Sequence, residues 1–220
     1  VKPTERLADV TAPDGTRLLL TRHDGHYYLR ADGVELMSTR RSQSEEALGR
    51  LGCEGLAARR GARVLVGGLG FGFTLRAALA ALADDAEVVV AELLPEVVAW
   101  NREPAWGLAH DVLADPRVQV EVGDVHALLG RSVGTFDAIL LDVDNGAEAF
   151  TTRANAQLYT GAGIAQAVAA LRPGGTVAYW SAGAEPRLVK VLERLGLTAT
   201  VTAVAAYKRG RVTHNVIVGR

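Results

Sequence analysis

Three glycines alternate in the stretch VGGLGFGFT, at Gly68, Gly70 and Gly72, with Gly67 ahead of them. Glycine takes up positive φ without steric cost and lets a backbone approach a bound molecule closely. An apolar run ends there and a helical pattern begins, as at a ligand-binding strand end. The spacing is G-x-G-x-G, not the dinucleotide G-x-G-x-x-G, because Phe73 holds the last position. No phosphate-loop lysine follows, which argues against nucleoside triphosphates. Further along, Glu92 closes the run VVVAE, where a carboxylate can accept from both ribose hydroxyls of a nucleoside. Asp124 closes RVQVEVGD, placed to accept from an adenine amino group or to cap a helix, roles that are compatible. Asp142 closes FDAILLD and can orient or deprotonate a nucleophile, or hold a cationic substrate. Asp144, Asn145 and Glu148 follow it in a polar loop, and Tyr159 falls on the next predicted helix, within reach of a pocket.

These residues need a scaffold that brings strand ends together. From Ala62 onward short apolar runs (62–67, 86–92, 117–123, 136–142 and 175–182) alternate with helix-like segments (about 72–83, 95–101, 124–130, 155–171 and 186–195). That order predicts a parallel sheet covered on both faces. The last two strand runs flank Lys208-Arg209-Gly210-Arg211, too close for a helical crossover, and must pair antiparallel. Upstream, residues 15–37 hold three short runs punctuated by Asp24-Gly25 and Asp32-Gly33, the turn residues of a small meander. Ser42 and Glu45 have capping-box spacing at the start of the next helix. The division expected is a meander over 1–41 and an α/β domain over 42–220. Ligands bind at the carboxyl ends of strands in such sheets. The glycine turn, Glu92 and Asp124 at consecutive strand ends fit S-adenosylmethionine or a relative better than a nicotinamide cofactor, whose fold lacks the terminal hairpin.

Bulk properties exclude several classes. The formal net charge of the 220 residues is −1, which argues against charge-driven nucleic-acid or membrane binding. Cys53 is the one cysteine, so no disulfide forms within the chain and a cytoplasmic setting is expected. Cys53 itself reads as a packed residue on a helix. No apolar run reaches the roughly 18 residues of a membrane span. His110, His126 and His214 share no metal-ligand spacing with one another or with Cys53, and no G-x-S-x-G elbow is present. No metal site is expected.

The motifs VLVGGLGFGFTLR, VVVAELLPEVV, DPRVQVEVGDVHALL, FDAILLDVDN and LRPGGTVAYWSA, with ADGVELMSTRRSQSEEAL before them, make the chain resemble the spermidine synthase family of aminopropyltransferases. The resemblance covers most of the chain. It implies a Rossmann-like class I methyltransferase fold: a mostly parallel seven-stranded sheet, a C-terminal antiparallel hairpin and a small N-terminal β-meander. It also implies that Gly68, Gly70, Glu92 and Asp124 hold an adenosyl group, with Gly67, Phe71, Gly72, Leu93 and Val125 beside them. Asp142 matches the family's catalytic aspartate, and a homodimer is implied.

Departures fall at the substrate end. The family's glycine turn carries an aspartate that helps hold the aminopropyl ammonium of decarboxylated S-adenosylmethionine; that position is Phe71 here. The second aspartate of D-x-x-D is Asn145, and the family's Y-H-E is Ser44, Glu45 and Glu46. A buried ammonium without a partner costs several kcal/mol, roughly three decades of affinity or more. Glu45, Glu46 or Asp144 could replace the lost acid; without such a replacement intact S-adenosylmethionine is the better donor. The expectation is methyl transfer to a small amine, with Asp142 catalytic and Glu45, Glu46, Asp144, Asn145 and Tyr159 on the acceptor side. The alternatives are an aminopropyltransferase using the decarboxylated donor and a non-catalytic nucleoside-binding protein.

Overall fold

The computed structural model describes residues 2–12, 15–143, 153–205 and 213–220. Four strands, β1 (Thr4–Thr11), β2 (Arg17–His23), β3 (His26–Ala31) and β4 (Val34–Ser38), form an antiparallel meander in that order. Asp24 and Asp32 take positive φ in its two tight turns, each followed by a glycine that does the same. The meander thus has one strand more than the three expected: β1 opens on three polar residues, lies on a mostly exposed edge and carries little hydrophobic signal.

Helix α1 (Gln43–Gly52) leads into the α/β part. Its elements are β5 (Arg63–Gly67), α2 (Phe73–Ala80), β6 (Glu87–Glu92), α3 (Pro95–Arg102), α4 (His110–Leu113), β7 (Val118–Val122), α5 (Val125–Gly130) and β8 (Phe136–Leu141). Then come α6 (Arg153–Leu158), α7 (Gly161–Ala169), β9 (Leu171–Ser181), α8 (Pro186–Arg194), β10 (Ala199–Ala205) and β11 (Thr213–Gly219). The single helix expected over 155–171 is two, because Thr160 accepts from the Gly163 amide and starts α7 afresh. The sheet order is β10-β11-β9-β8-β5-β6-β7. Strands β9, β8, β5, β6 and β7 are parallel, and β11 runs antiparallel between β9 and β10. This is a class I methyltransferase-type α/β sheet with a separate N-terminal meander.

Two apolar layers sandwich the large sheet. One joins Leu18, Leu20, Leu29 and Ala31 of the meander to Leu48, Val64, Val66, Leu75 and Trp100. The meander therefore shares a core with α1 to α4 and is held over one face of the sheet. The other layer joins Leu65, Ile139 and Leu141 to Leu128, Leu129, Ile164 and Leu188. At the far end of the sheet Asp137, 1% exposed, accepts from the Arg63 amide and pairs with Arg59 and Arg172. Among the described residues no helix is long and apolar enough to cross a membrane.

Candidate functional site

The parallel register sets the site. Gly67 lies beside Ala91 on one side and Leu141 on the other, and Glu92 lies beside Val122. The chains leave the sheet in step: the Gly68 amide donates to Ala91 O, the Gly123 amide to Glu92 O and the Asp142 amide to Gly67 O, each at 2.8 Å. The glycine turn, Glu92, Asp124 and Asp142 thereby fall along one edge.

They wall a cavity of about 390 Å³, roofed by Leu18, Leu36 and Met37 of the meander. Small-molecule sites span ~300–1,000 Å³. Gly68, Gly70, Phe71, Glu92, Leu93, Asp124, Val125 and Asp142 all line it. Gly68 has φ +91, and a Cβ there would stand 2.4 Å from the Asp142 carbonyl oxygen, so only glycine fits. Gly67 and Gly72, expected to touch a cofactor, are not on the wall. A Cβ on Gly67 would meet Leu141 and Val125 side chains at 2.9 Å, and one on Gly72 would meet Ala109 at 2.5 Å. Both serve packing between elements.

Glu92 is 8% exposed, and its two oxygens accept from the Leu69 and Leu94 amides, each at 2.9 Å. Burial raises its pKa, opposed by these N–H groups. Sequence reasoning missed Asn101, which is buried and donates to Gly70 O at 2.8 Å, clamping the turn. Asp124 Oδ1 accepts from the His126 amide at 2.8 Å, so the residue caps α5 while it faces the cavity. Asp142 Oδ2 accepts from the Thr74 hydroxyl at 2.6 Å. Thr74, also missed, stands in the first turn of α2 directly after the glycines and fixes the carboxylate.

The acceptor-side candidates divide. Glu45 lines the cavity; Glu46 is exposed and does not. Ser42 makes no side-chain cap, and Glu45 turns to the cavity wall, where its Oε2 accepts from Ser44 Oγ at 2.5 Å. Burial raises the Glu45 pKa, while the Ser44 hydrogen bond and Arg41 oppose the rise. Arg41, on the same wall, is ion-paired with Glu35. Tyr159 is not on the wall: it follows α6, and its hydroxyl donates to Trp180 O at 3.1 Å while its ring packs on Tyr179. Asp144, Asn145 and Glu148 lie outside the described residues, as does the 208–211 turn. Cys53 follows α1, is fully packed, and burial pushes its thiol up to about 12.

His214 of β11 also lines the cavity, with Nδ1 3.0 Å from Ser44 Oγ and its ring edge-on to Trp180 at 4.7 Å. Burial lowers its pKa, and Arg41 adds to the effect. In the sequence it stands between Thr213 and Asn215 at the polar start of the run THNVIVG, with no local pattern to mark it.

No protein-family model matches the chain, and no curated protein does. Solved structures do. A spermidine synthase in complex with the transition-state analogue AdoDATO aligns at TM-score 0.72 and 15% identity, over 98% of this chain and 72% of that one. A spermidine synthase from Thermotoga maritima aligns at 0.73 and 15%, with the same coverage. A probable spermidine synthase from Corynebacterium glutamicum aligns at 0.67 and 18%, over 100% of this chain and 80% of that one. At these identities the likeness shows the fold: the chain is built as spermidine synthases are.

Proposed function

We propose that this chain is a transferase that moves the aminopropyl group of decarboxylated S-adenosylmethionine to a small amine. The wall fits the donor: Glu92 and Asp124 would take the ribose and adenine, the Gly68–Gly70 turn would lie along the nucleoside, and Leu93 and Val125 would supply apolar contact. When bound, the donor supplies a carbon activated by the adjoining sulfonium. The carrying observation is Glu45, whose carboxylate reaches the same cavity as Asp142. A carboxylate accepts about four hydrogen bonds, so the one from Ser44 leaves capacity for an ammonium. Glu45 therefore offers the acid that Phe71 does not. Asp142, fixed by Thr74, would orient the acceptor amine. The likeness to spermidine synthases supports this reading over methyl transfer.

Methyl transfer from intact S-adenosylmethionine is the second reading. It is favoured by Arg41 on the wall, which could hold the donor carboxylate, and by Phe71. Calorimetric titration with both donors separates the readings. Tenfold or greater preference for the decarboxylated donor, erased in Glu45→Gln, is expected. Preference for the intact donor would favour methyl transfer, and the product mass with a diamine would confirm which group moves.

A further inference from the structure

The cavity wall holds a hydrogen-bonded chain that ends on Glu45 and whose other two members, Ser44 and His214, the donor does not account for. His214 Nδ1 is 3.0 Å from Ser44 Oγ, and Ser44 Oγ donates to Glu45 Oε2 at 2.5 Å. These residues come from β11 and α1, on opposite sides of the chain's length. Ser44 is fully buried, which excludes it as a nucleophile. A hydroxyl has one proton. With Glu45 ionised, that proton belongs to the short bond to the carboxylate, so Ser44 can only accept from the imidazole. Nδ1 of His214 then carries the ring hydrogen, and Nε2 presents a lone pair. Nε2 has no hydrogen bond among the described residues, while the ring is fixed edge-on against Trp180.

We propose that His214 is the proton acceptor for the attacking amine, with Ser44 and Glu45 as positioning residues that set its tautomer and offset its charge. The inference rests on the transferase reading above. At neutral pH an alkylamine is an ammonium without a lone pair. Its proton passes to Nε2 of His214. The freed nitrogen lone pair forms the new carbon–nitrogen bond, the carbon–sulfur bond breaks, and its electron pair stays on sulfur as a neutral thioether. The imidazolium later gives its proton to solvent. Asp142 is left to orient the amine.

The charged and titratable groups sharing this wall are Arg41 and Glu35 from the meander side, Glu45 from α1, Asp142 after β8, and Glu92 and Asp124 farther along the edge. Burial and Arg41 keep His214 neutral to below the usual histidine range. Activity should therefore be full at neutral pH and fall as pH drops through that lowered value.

The test uses the whole chain with decarboxylated S-adenosylmethionine and 1,4-diaminobutane. Nitrogen-15 histidine NMR of wild type, assigned with His214→Gln, should show His214 as the Nδ1–H tautomer; an Nε2–H tautomer overturns the proposal, whatever the acceptor. His214→Gln should lower kcat/KM at least 100-fold and remove the acid limb, with donor Kd within twofold. Ser44→Ala, which keeps the imidazole, should lose about tenfold and move the acid limb. Unchanged rate and pH profile in His214→Gln defeat this inference alone. Absence of donor binding by wild type defeats the transferase reading, and the inference with it.

Discussion

Replacing Gly68 by alanine tests the geometry of the strand-end row. The added Cβ would stand 2.4 Å from the carbonyl oxygen of Asp142 and 3.1 Å from its carbonyl carbon, at φ +91. Left-handed backbone costs an L-residue about 1–2 kcal/mol, and forcing an atom into a filled place about 1–3 kcal/mol. The obstacle is backbone, tied to the sheet by the Asp142 amide on Gly67 O, so it cannot swing aside as a side chain can. Together these predict about 2–5 kcal/mol of destabilisation, a fall in Tm of roughly 5–15 °C for a domain of this size. Because the clash also displaces the Gly68–Gly70 turn on the cavity wall, donor affinity should weaken about tenfold in the protein that remains folded. Circular-dichroism melting and donor calorimetry read both. Gly161→Ala is the control: it opens α7, its Cβ meets nothing within 4 Å, and its effect should stay within about 0.5 kcal/mol. A Gly68→Ala protein that melts within about 2 °C of wild type would refute the contact and the register that creates it.

Other predictions follow from single contacts. Thr74→Val removes the hydroxyl that holds Asp142; a hydrogen bond to a charged group contributes about 1.5–3 kcal/mol, so kcat should fall by about 10- to 100-fold while donor Kd stays within about twofold. Asp137→Ala leaves the Arg63 amide without its acceptor and takes the partner from the half-exposed Arg59 and Arg172 at the opposite end of the sheet, and should cost about 1–3 kcal/mol in urea melts with donor affinity of the folded protein unchanged. Cys53, with its thiol pushed up to about 12, should resist alkylation at pH 8 in the native protein and react readily once the chain is unfolded in urea.

How much was legible in the sequence depends on range. The five apolar runs of the α/β part and the closing hairpin were legible because each carries its own period and its own turn residues. Their parallel register then forces Gly68, Glu92, Asp124 and Asp142 to one edge, so those positions were readable too. Gly67 and Gly72 were not separable from Gly68 and Gly70, since a glycine needed for packing and one needed for a ligand look alike in a strand–turn–helix. The first strand of the meander is polar and at an edge, and gives no hydrophobic signal. Ser42 and Glu45 have the spacing of a capping box, but Ser44 claims the carboxylate. Tyr159 lies in the break between α6 and α7, and its hydroxyl donates to Trp180 O. Ser44 and His214 meet across 170 positions of sequence, and no local pattern announces such a pair.

The measurement that bears most directly on the central claim is calorimetric titration of wild-type protein and of Glu92→Ala with decarboxylated S-adenosylmethionine. Saturable one-to-one binding by wild type, weakened at least tenfold in the variant, is the predicted result. No binding by wild type, or binding that Glu92→Ala leaves untouched, would contradict the assignment of this cavity to an adenosyl donor.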